Sequence, residues 1–148
     1  MRRIVIPPSG EGGVVVRNED TNGVISFVEQ SMEARHLIPG HVHERTDVWI
    51  YVLDGAVGVR VGDDGVTGAP GAYLLKPRGV PHAMWNPGDE PNRFIEILTP
   101  GDGDLFFREA GALPPDVSRE EFEAMSARHG IRWFDDWTQD LRARHGLR

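Results

Sequence analysis

The sequence predicts an all-β domain of antiparallel strands. Short apolar or alternating runs recur along residues 14–99, a pattern typical of short strands. Turn signals separate the runs, among them Asn22-Gly23, Asp54-Gly55 and Pro70-Gly71. Strands spaced this closely favour a sandwich or barrel, because βαβ units need helical stretches between their strands. The predicted strands cover residues 14–17, 24–29, 48–53, 57–61, 72–75, 80–85 and 94–99.

The last third of the chain has a helical pattern instead. Residues 105–107 predict a short helical or coil segment that packs on the barrel. Ser118 and Glu121 have the spacing of a capping box, which predicts a helix that ends at Gly130. A last amphipathic stretch is expected at about 133–144, with its apolar stripe covering the barrel or a neighbouring subunit. The stripe consists of Trp133, Phe134, Trp137 and Leu141.

Composition narrows the class of protein. The chain has 148 residues, 39% hydrophobic and 26% charged, which suits one globular domain. Its net charge of −7 argues against nucleic acid as a partner, because a negative surface repels phosphate. The absence of cysteine excludes disulfides, thiolate metal sites and a cysteine nucleophile. The apolar stretch at residues 4–6 is too short for a signal peptide or membrane helix, so we expect a cytoplasmic protein without a membrane partner.

Histidines are the candidate metal ligands. One residue separates His41 from His43, so in an extended chain both side chains point the same way. Taken alone, such a pair more often represents two unrelated surface histidines than metal ligands. His82, in another predicted strand, could complete a triangle if the two strands face each other. Three neutral imidazoles suit one divalent transition metal ion, Fe, Ni, Zn, Mn or Cu, better than Mg or Ca.

The residues around these histidines resemble the two motifs of the cupin superfamily. The second motif is met at every position and the first at its two histidines and its final glycine. The matching residues are Gly71, Pro77, Gly79, His82 and Asn86 for the second motif, and His41, His43 and Gly55 for the first. The likeness runs from about 14 to 107, and is greatest to small single-barrel cupins described as quercetinase-like.

The resemblance implies an antiparallel double-stranded β-helix, the cupin jelly-roll barrel, with short C-terminal helices at about 116–146. It implies one cupin domain over residues 1–148, in which His41, His43 and His82 bind the metal ion. A homodimer is expected from the same resemblance, because cupin barrels commonly pair through their outer strands.

One ligand of the family pattern is missing. The family's glutamate falls on Val48, and the adjacent Asp47 should point to the other face of the strand. A bulge near Thr46 could re-aim Asp47, and Glu96 on a late strand is another possible carboxylate. Without a carboxylate ligand, the ion should be a stronger Lewis acid and should be bound less tightly.

Strand alternation predicts an apolar pocket beside the metal. A flat, weakly polar ligand would suit such a pocket. Its predicted lining residues are Val48, Ile50, Val52, Met84 and Asn86. The alternating Trp49, Tyr51 and Trp85 should face outward, under the C-terminal helices or at a dimer contact. Lys76 and Arg78 border a turn and are expected to be solvated.

Two classes of function follow. The first is a metal-dependent enzyme acting on a small molecule, for which the resemblance implies quercetinase-like dioxygenation of an enol or phenol. A non-redox isomerase, cyclase or decarboxylase, similar to cupin polyketide cyclases, fits the same residues. Both would need a separate base, for which Glu96 is the candidate catalytic residue. The second class is a small-molecule-binding cupin without catalysis, which the loss of glutamate at Val48 favours.

Overall fold

The computed structural model describes residues 13–148. The N-terminal segment on which the signal-peptide prediction depends lies outside the described residues. Among the helices that are described, none is long and apolar enough to cross a membrane.

Ten strands and three α-helices make up the described chain. The strands are β1 Val14–Val16, β2 Ser26–Gln30, β3 Leu37–His43, β4 Asp47–Asp54, β5 Val57–Val61, β6 Asp64–Gly68, β7 Tyr73–Lys76, β8 His82–Trp85, β9 Arg93–Thr99 and β10 Ile131–Trp133. The helices are α1 Asp104–Gly111, α2 Arg119–Arg128 and α3 Thr138–His145. The predicted antiparallel all-β fold with short C-terminal helices is therefore confirmed.

Two five-stranded sheets form the body of the molecule. One has the order β1-β2-β9-β4-β7 and the other β10-β3-β8-β5-β6, and every pairing is antiparallel. Side chains alternate along β4, where Val48, Ile50 and Val52 are buried and Trp49 is exposed. This alternation places the inner face of each sheet in a shared core, as in two packed layers of strands.

The sequence missed three strands. Strand β6 lies between the predicted strands at 57–61 and 72–75, and β3 contains the His41–His43 pair. Trp133, the last residue of β10, was predicted to begin a helical stretch, which is wrong. Gly130 ends α2 with a φ of +72°, and the chain then pairs with the edge of β3. That pairing satisfies backbone groups that an isolated edge would leave open.

The C-terminal helices cover the barrel on two sides. Helix α2 begins at Arg119, and Ser118 is its N-cap, with the predicted capping box to Glu121. Helix α3 packs Leu141 against Trp85 on the outer face of the β3–β8 sheet. Trp85 is 2% exposed and Trp49 is 40% exposed. Both point outward, but helix α3 covers Trp85, whereas Trp49 lies on an open face of the other sheet.

Candidate metal centre and cavity

The three motif histidines meet on neighbouring strands. His41 and His82 are register partners across the β3–β8 ladder, and His43 lies two residues further along β3. All three are buried, with exposed fractions of 4%, 6% and 0% for His41, His43 and His82. Their ring centroids are 4.3 Å apart for His41–His82, 5.1 Å for His41–His43 and 5.2 Å for His43–His82. Alternation along β3 and pairing with β8 thus produce the predicted convergence.

Backbone carbonyls orient two of the rings. Nδ1 of His41 lies 2.8 Å from the Pro39 carbonyl oxygen, and Nδ1 of His82 lies 3.0 Å from that of Val80. Because a carbonyl oxygen only accepts, each Nδ1 carries the proton and leaves the Nε2 lone pair free. Nε2 of His82 is buried and has no hydrogen-bond partner among the described residues. One ligand atom from each ring lies within 4.8 Å of the others, so the cluster could hold a metal ion.

The environment keeps these imidazoles neutral. Burial, with a smaller effect from the Lys76 ammonium, lowers the pKa of His41 to about 3. Burial also holds the pKa of His43 well below its ordinary value, with smaller effects from His41 and Lys76. The pKa of His82 is lowered chiefly by burial. Neutral imidazole is the form that binds a metal ion, so the donor set fits a divalent transition metal.

No carboxylate joins the histidine cluster in the part of the chain that the structure describes. Val48 is fully buried and packs with the apolar side chains of Val28 and Leu98. Asp47 lies at the surface, where Arg78 donates to both of its oxygens over 2.8–3.1 Å. The β4–β9 register is regular at Asp47, so no bulge re-aims it toward the histidines.

A cavity of about 380 Å³ borders His41 and His43. Aromatic and aliphatic side chains form most of its wall, and Glu96 and Gln30 are the polar exceptions besides histidines. Its lining residues are Gln30, His36, Leu37, Ile38, Pro39, His41, His43, Met84, Glu96, Phe106, Phe107, Ala110, Phe122, Ile131 and Trp133. The strands thus supply the histidine side of the cavity, and α1, α2 and β10 supply its aromatic side.

Of the five predicted pocket residues, only Met84 lines the cavity. Val48, Ile50 and Val52 face inward but lie in the packed core. Asn86 is buried and donates to the carbonyls of the loops before β3 and β9. Asn86 therefore has a structural role, because its side chain donates to backbone carbonyls that would otherwise lack hydrogen-bond partners.

Lys76 does not lie in solvent, contrary to the prediction. It is 1% exposed, and its Nζ lies 2.5 Å from Oε1 of Glu96. Lys76 is the last residue of β7, whose alternation buries Leu74 and Lys76 and exposes Tyr73 and Leu75. Because the predicted strand ended at residue 75, this alternation was not extended to Lys76. Lys76 is the only lysine of the chain. The alternation of buried and exposed residues along β7 was the sequence signal that could have predicted its burial.

Cavity residues from the C-terminal segment were also missed as site residues. Trp133 pairs with His41 in the β10–β3 register, and the two ring centroids are 4.5 Å apart. Its Nε1 is buried and has no partner among the described residues. Phe106 and Phe122 border the same cavity. Their apolar spacing predicts helix packing, and sequence periodicity does not distinguish such packing from a pocket wall.

Two packed antiparallel sheets with three inward histidines define a double-stranded β-helix protein with a candidate metal site. The sequence model of the cupin-domain family matches residues 28–98, which include the three histidines. Residues 28–98 of the chain are therefore a cupin domain. No curated protein sequence matches the chain closely enough to count as a relative.

Solved structures share this fold. KdgF from Halomonas sp. has a TM-score of 0.55 and 21% identity, over 62% of this chain and 79% of that chain. A conserved protein with a double-stranded β-helix domain from Klebsiella pneumoniae has a TM-score of 0.52 and 22% identity, over 60% and 75%. A mutant of salicylate 1,2-dioxygenase from Pseudoaminobacter salicylatoxidans has a TM-score of 0.50 and 26% identity, over 56% of this chain and 24% of that chain.

Proposed function

We propose that this protein is a metal-dependent enzyme that acts on a small, flat, weakly polar molecule with an acidic oxygen. Quercetinase-like dioxygenation is the favoured reaction. The observation that carries the proposal is the cluster of three buried, neutral histidines, two of which, His41 and His43, line an apolar cavity. A buried Nε2 without a partner, as in His82, is costly unless a ligand uses it.

The donor set indicates which substrates the site favours. Lewis-acid polarisation of a substrate oxygen is the chemistry that a bound divalent ion supplies. Because His41, His43 and His82 bring no negative charge, an anionic oxygen such as an enolate, phenolate or carboxylate would compensate the charge of the centre. The likeness to a salicylate dioxygenase supports oxygen-dependent chemistry on a substrate of this kind.

The side chains of the cavity wall indicate that the body of the substrate is aromatic. Phe106, Phe122 and Trp133 contribute aromatic side chains to a space of about 380 Å³, which is near the lower end of small-molecule sites. An aromatic body can pack on such side chains at little conformational cost. The free N–H of Trp133 is a further donor for a substrate oxygen.

Glu96 is the candidate acid–base group of this site. It lines the cavity, and its oxygens accept hydrogen bonds from Lys76 at 2.5 Å and Gln30 at 3.0 Å. These donors fix the orientation of the carboxylate. A carboxylate held at the cavity wall can accept a proton from a substrate hydroxyl or enol.

Metal content is the first test of the proposal. The purified protein should contain close to one transition metal ion per chain, measured by elemental analysis. His82→Ala should abolish the metal, because it removes one of three ligands. His36→Ala is the matched control, since His36 lines the same cavity outside the cluster, and it should retain the metal. Metal-free wild-type protein that takes up no added Fe, Ni or Zn would contradict the proposal.

Tests with candidate substrates distinguish a dioxygenase from a non-redox enzyme and from a non-catalytic binder. Flavonols and 1,3-diketones should be consumed together with oxygen by the metal-loaded protein, and His82→Ala should be inactive. Conversion that proceeds equally without oxygen would instead support the non-redox isomerase, cyclase or decarboxylase, which the position of Glu96 favours. Tight binding of such compounds without any conversion would support the non-catalytic binder, which Val48 favours.

We also infer that two copies pair through the outer face of β4 and β7. Trp49, Tyr73 and Leu75 lie on this face with exposed fractions of 40%, 66% and 37%. Trp49 and Leu75 are register partners, as are Tyr51 and Tyr73. Exposed apolar groups on adjacent strands form a patch that suits a second copy of the same face.

A charged substitution tests this dimer. Tyr73→Arg should convert a dimer into a monomer, measured by light scattering coupled to size-exclusion chromatography, because it puts like charges opposite each other across a two-fold interface. Val66→Arg on β6 changes another exposed apolar residue, 55% exposed, in the other sheet. It should leave the dimer intact. A monomeric wild-type protein would contradict the inference.

A further inference from the structure

The Lys76–Glu96 ion pair is buried beside the histidine cluster. Lys76 is 1% exposed and Glu96 is 3% exposed, and the two groups are 2.5 Å apart. Removing two charges from water is costly, and one partner without the other costs more. Lys76 and Glu96 therefore act as a unit, and changing one exposes the site to the uncompensated charge of the other.

Contacts around the pair place it directly behind the cavity wall. Glu96 and its partner Gln30 both line the cavity, whereas Lys76 does not. The ammonium of Lys76 also lies 3.5 Å from Sδ of Met84, another lining residue. The carboxylate of the pair thus faces the ligand space, and the ammonium is one layer behind it.

The charge of Lys76 lies close to the histidine cluster. Its Nζ contacts Met84, which is two residues from His82 in β8 and therefore on the same face of that strand. A positive charge beside the cluster disfavours a divalent ion there. Lys76 is also the register partner of Val48, so the cation lies across from the position that lacks a carboxylate.

We propose that the Lys76–Glu96 pair sets the affinity of the three-histidine centre for its metal ion, with Lys76 withholding the Glu96 carboxylate that would otherwise compensate the ion's charge. This inference rests on the metal site of the proposed function. The pair is neutral as a unit, so the centre retains its positive charge for an anionic oxygen of the substrate. In this assignment Lys76 is a positioning residue that acts through Glu96.

Two single substitutions should change metal affinity in opposite directions. Lys76→Met removes the cation and frees Glu96, so Ni²⁺ and Zn²⁺ should bind about tenfold more tightly. Glu96→Gln leaves the cation uncompensated, so both ions should bind about tenfold more weakly. The double variant should lie close to wild type, because both charges are gone. Affinities would be measured by competition with a chromophoric chelator at constant pH and ionic strength.

Matched controls separate this role from a structural one. Lys76→Arg keeps the charge and should keep the affinity of the wild-type protein. Gln30→Glu adds a carboxylate at the cavity wall next to Glu96 and should strengthen metal binding. Circular dichroism of each metal-free variant would verify folding. A pair that only stabilises the fold predicts weaker binding in both single variants, and that result would overturn the inference.

The only lysine of the chain provides a second readout. Protein labelled with ¹⁵N or ¹³C in lysine should give one side-chain signal in a nuclear magnetic resonance spectrum. Saturation with Zn²⁺ should shift this signal in the wild-type protein and leave it unmoved in His82→Ala. A wild-type protein that binds Zn²⁺ without any shift would overturn the inference alone. Failure of wild type and both single variants to bind metal would overturn the proposed function with it.

Discussion

Val48 and Lys76 face each other across β4 and β7, and together they reverse the charge of this part of the barrel wall. Where the family pattern has a glutamate, Val48 contributes an apolar side chain, and the neighbouring strand contributes a buried ammonium. Glu96, a buried carboxylate on β9, is bound by that ammonium. At the scale of single residues, a metal ion held by the three histidines would therefore meet no carboxylate ligand among the described residues.

Val48→Glu should restore the missing ligand. Without metal it should destabilise the protein by about 1–3 kcal/mol, because the carboxyl enters an apolar cluster where the neighbouring ammonium, Lys76, is already bound by Glu96. Added Ni²⁺ or Zn²⁺ should recover this loss, and the metal should bind more tightly than to wild type. The measurement is urea unfolding with and without metal.

Val52→Glu is the matched control for this substitution. Val52 is equally buried on the same face of β4, but it lies about 14 Å further along the strand. It should destabilise the protein without rescue by metal. Equal rescue of both variants would show that the carboxylate does not act at the histidine centre.

Elements outside the matched cupin domain complete the site. The family match ends at residue 98, whereas the aromatic side of the cavity comes from α1, α2 and β10. Strand β10 pairs with the edge of β3 and thereby brings Trp133 against His41. Backbone hydrogen bonds of an edge strand therefore determine which side chain covers the candidate metal centre.

The surface on which helix α3 packs depends on Gly58, which lets the indole of Trp85 lie close to the backbone of β5. A Cβ on Gly58 would lie 2.2 Å from the indole of Trp85, the residue on which the helix packs. Gly58→Ala should therefore cost about 1–3 kcal/mol through overpacking, measured by thermal or urea unfolding. Gly65→Ala, on the paired strand, meets only the Val59 carbonyl oxygen at 3.9 Å and should change stability little. Similar losses for both would indicate a general strand effect instead.

At the scale of the whole molecule, the barrel buries polar groups that need a ligand or a partner. Three neutral imidazoles and one ion pair are among the polar groups buried in the interior. Lys76 and Glu96 compensate each other's charge. Nε2 of His82, by contrast, has no hydrogen-bond partner among the described residues. A ligand that binds only the folded protein and uses this atom should stabilise the fold by mass action.

Metal should therefore raise the melting temperature of the metal-free protein. At a free concentration one hundred times its Kd, the stabilisation is about 2.7 kcal/mol, which corresponds to roughly 5–10 °C in a domain of this size. Scanning calorimetry with and without Ni²⁺ or Zn²⁺ measures the shift, and chelator should reverse it. His82→Ala should show no shift, and an equal shift in that variant would mean that the ion binds elsewhere.

Local patterns predicted much of the fold. Alternation located β4, β5 and β9, and the Ser118–Glu121 spacing located the start of α2. The same patterns failed at Trp133, which has the spacing of a helix but lies in β10. They also failed at Lys76, where the charged side chain suggested solvent and the strand buries it. In both cases a tertiary partner, β3 or Glu96, overrode the local preference.

The sequence by itself determined the cupin fold and the three histidines, because motif spacing and strand alternation are local properties of the chain. The tertiary structure decided what surrounds those histidines. Only pairing between distant strands brings Trp133 to His41, Lys76 opposite Val48, and the ammonium to Glu96. Side-chain charge compensation depends on distance in space, and residues 20 or more positions apart in sequence carry no local signal of it.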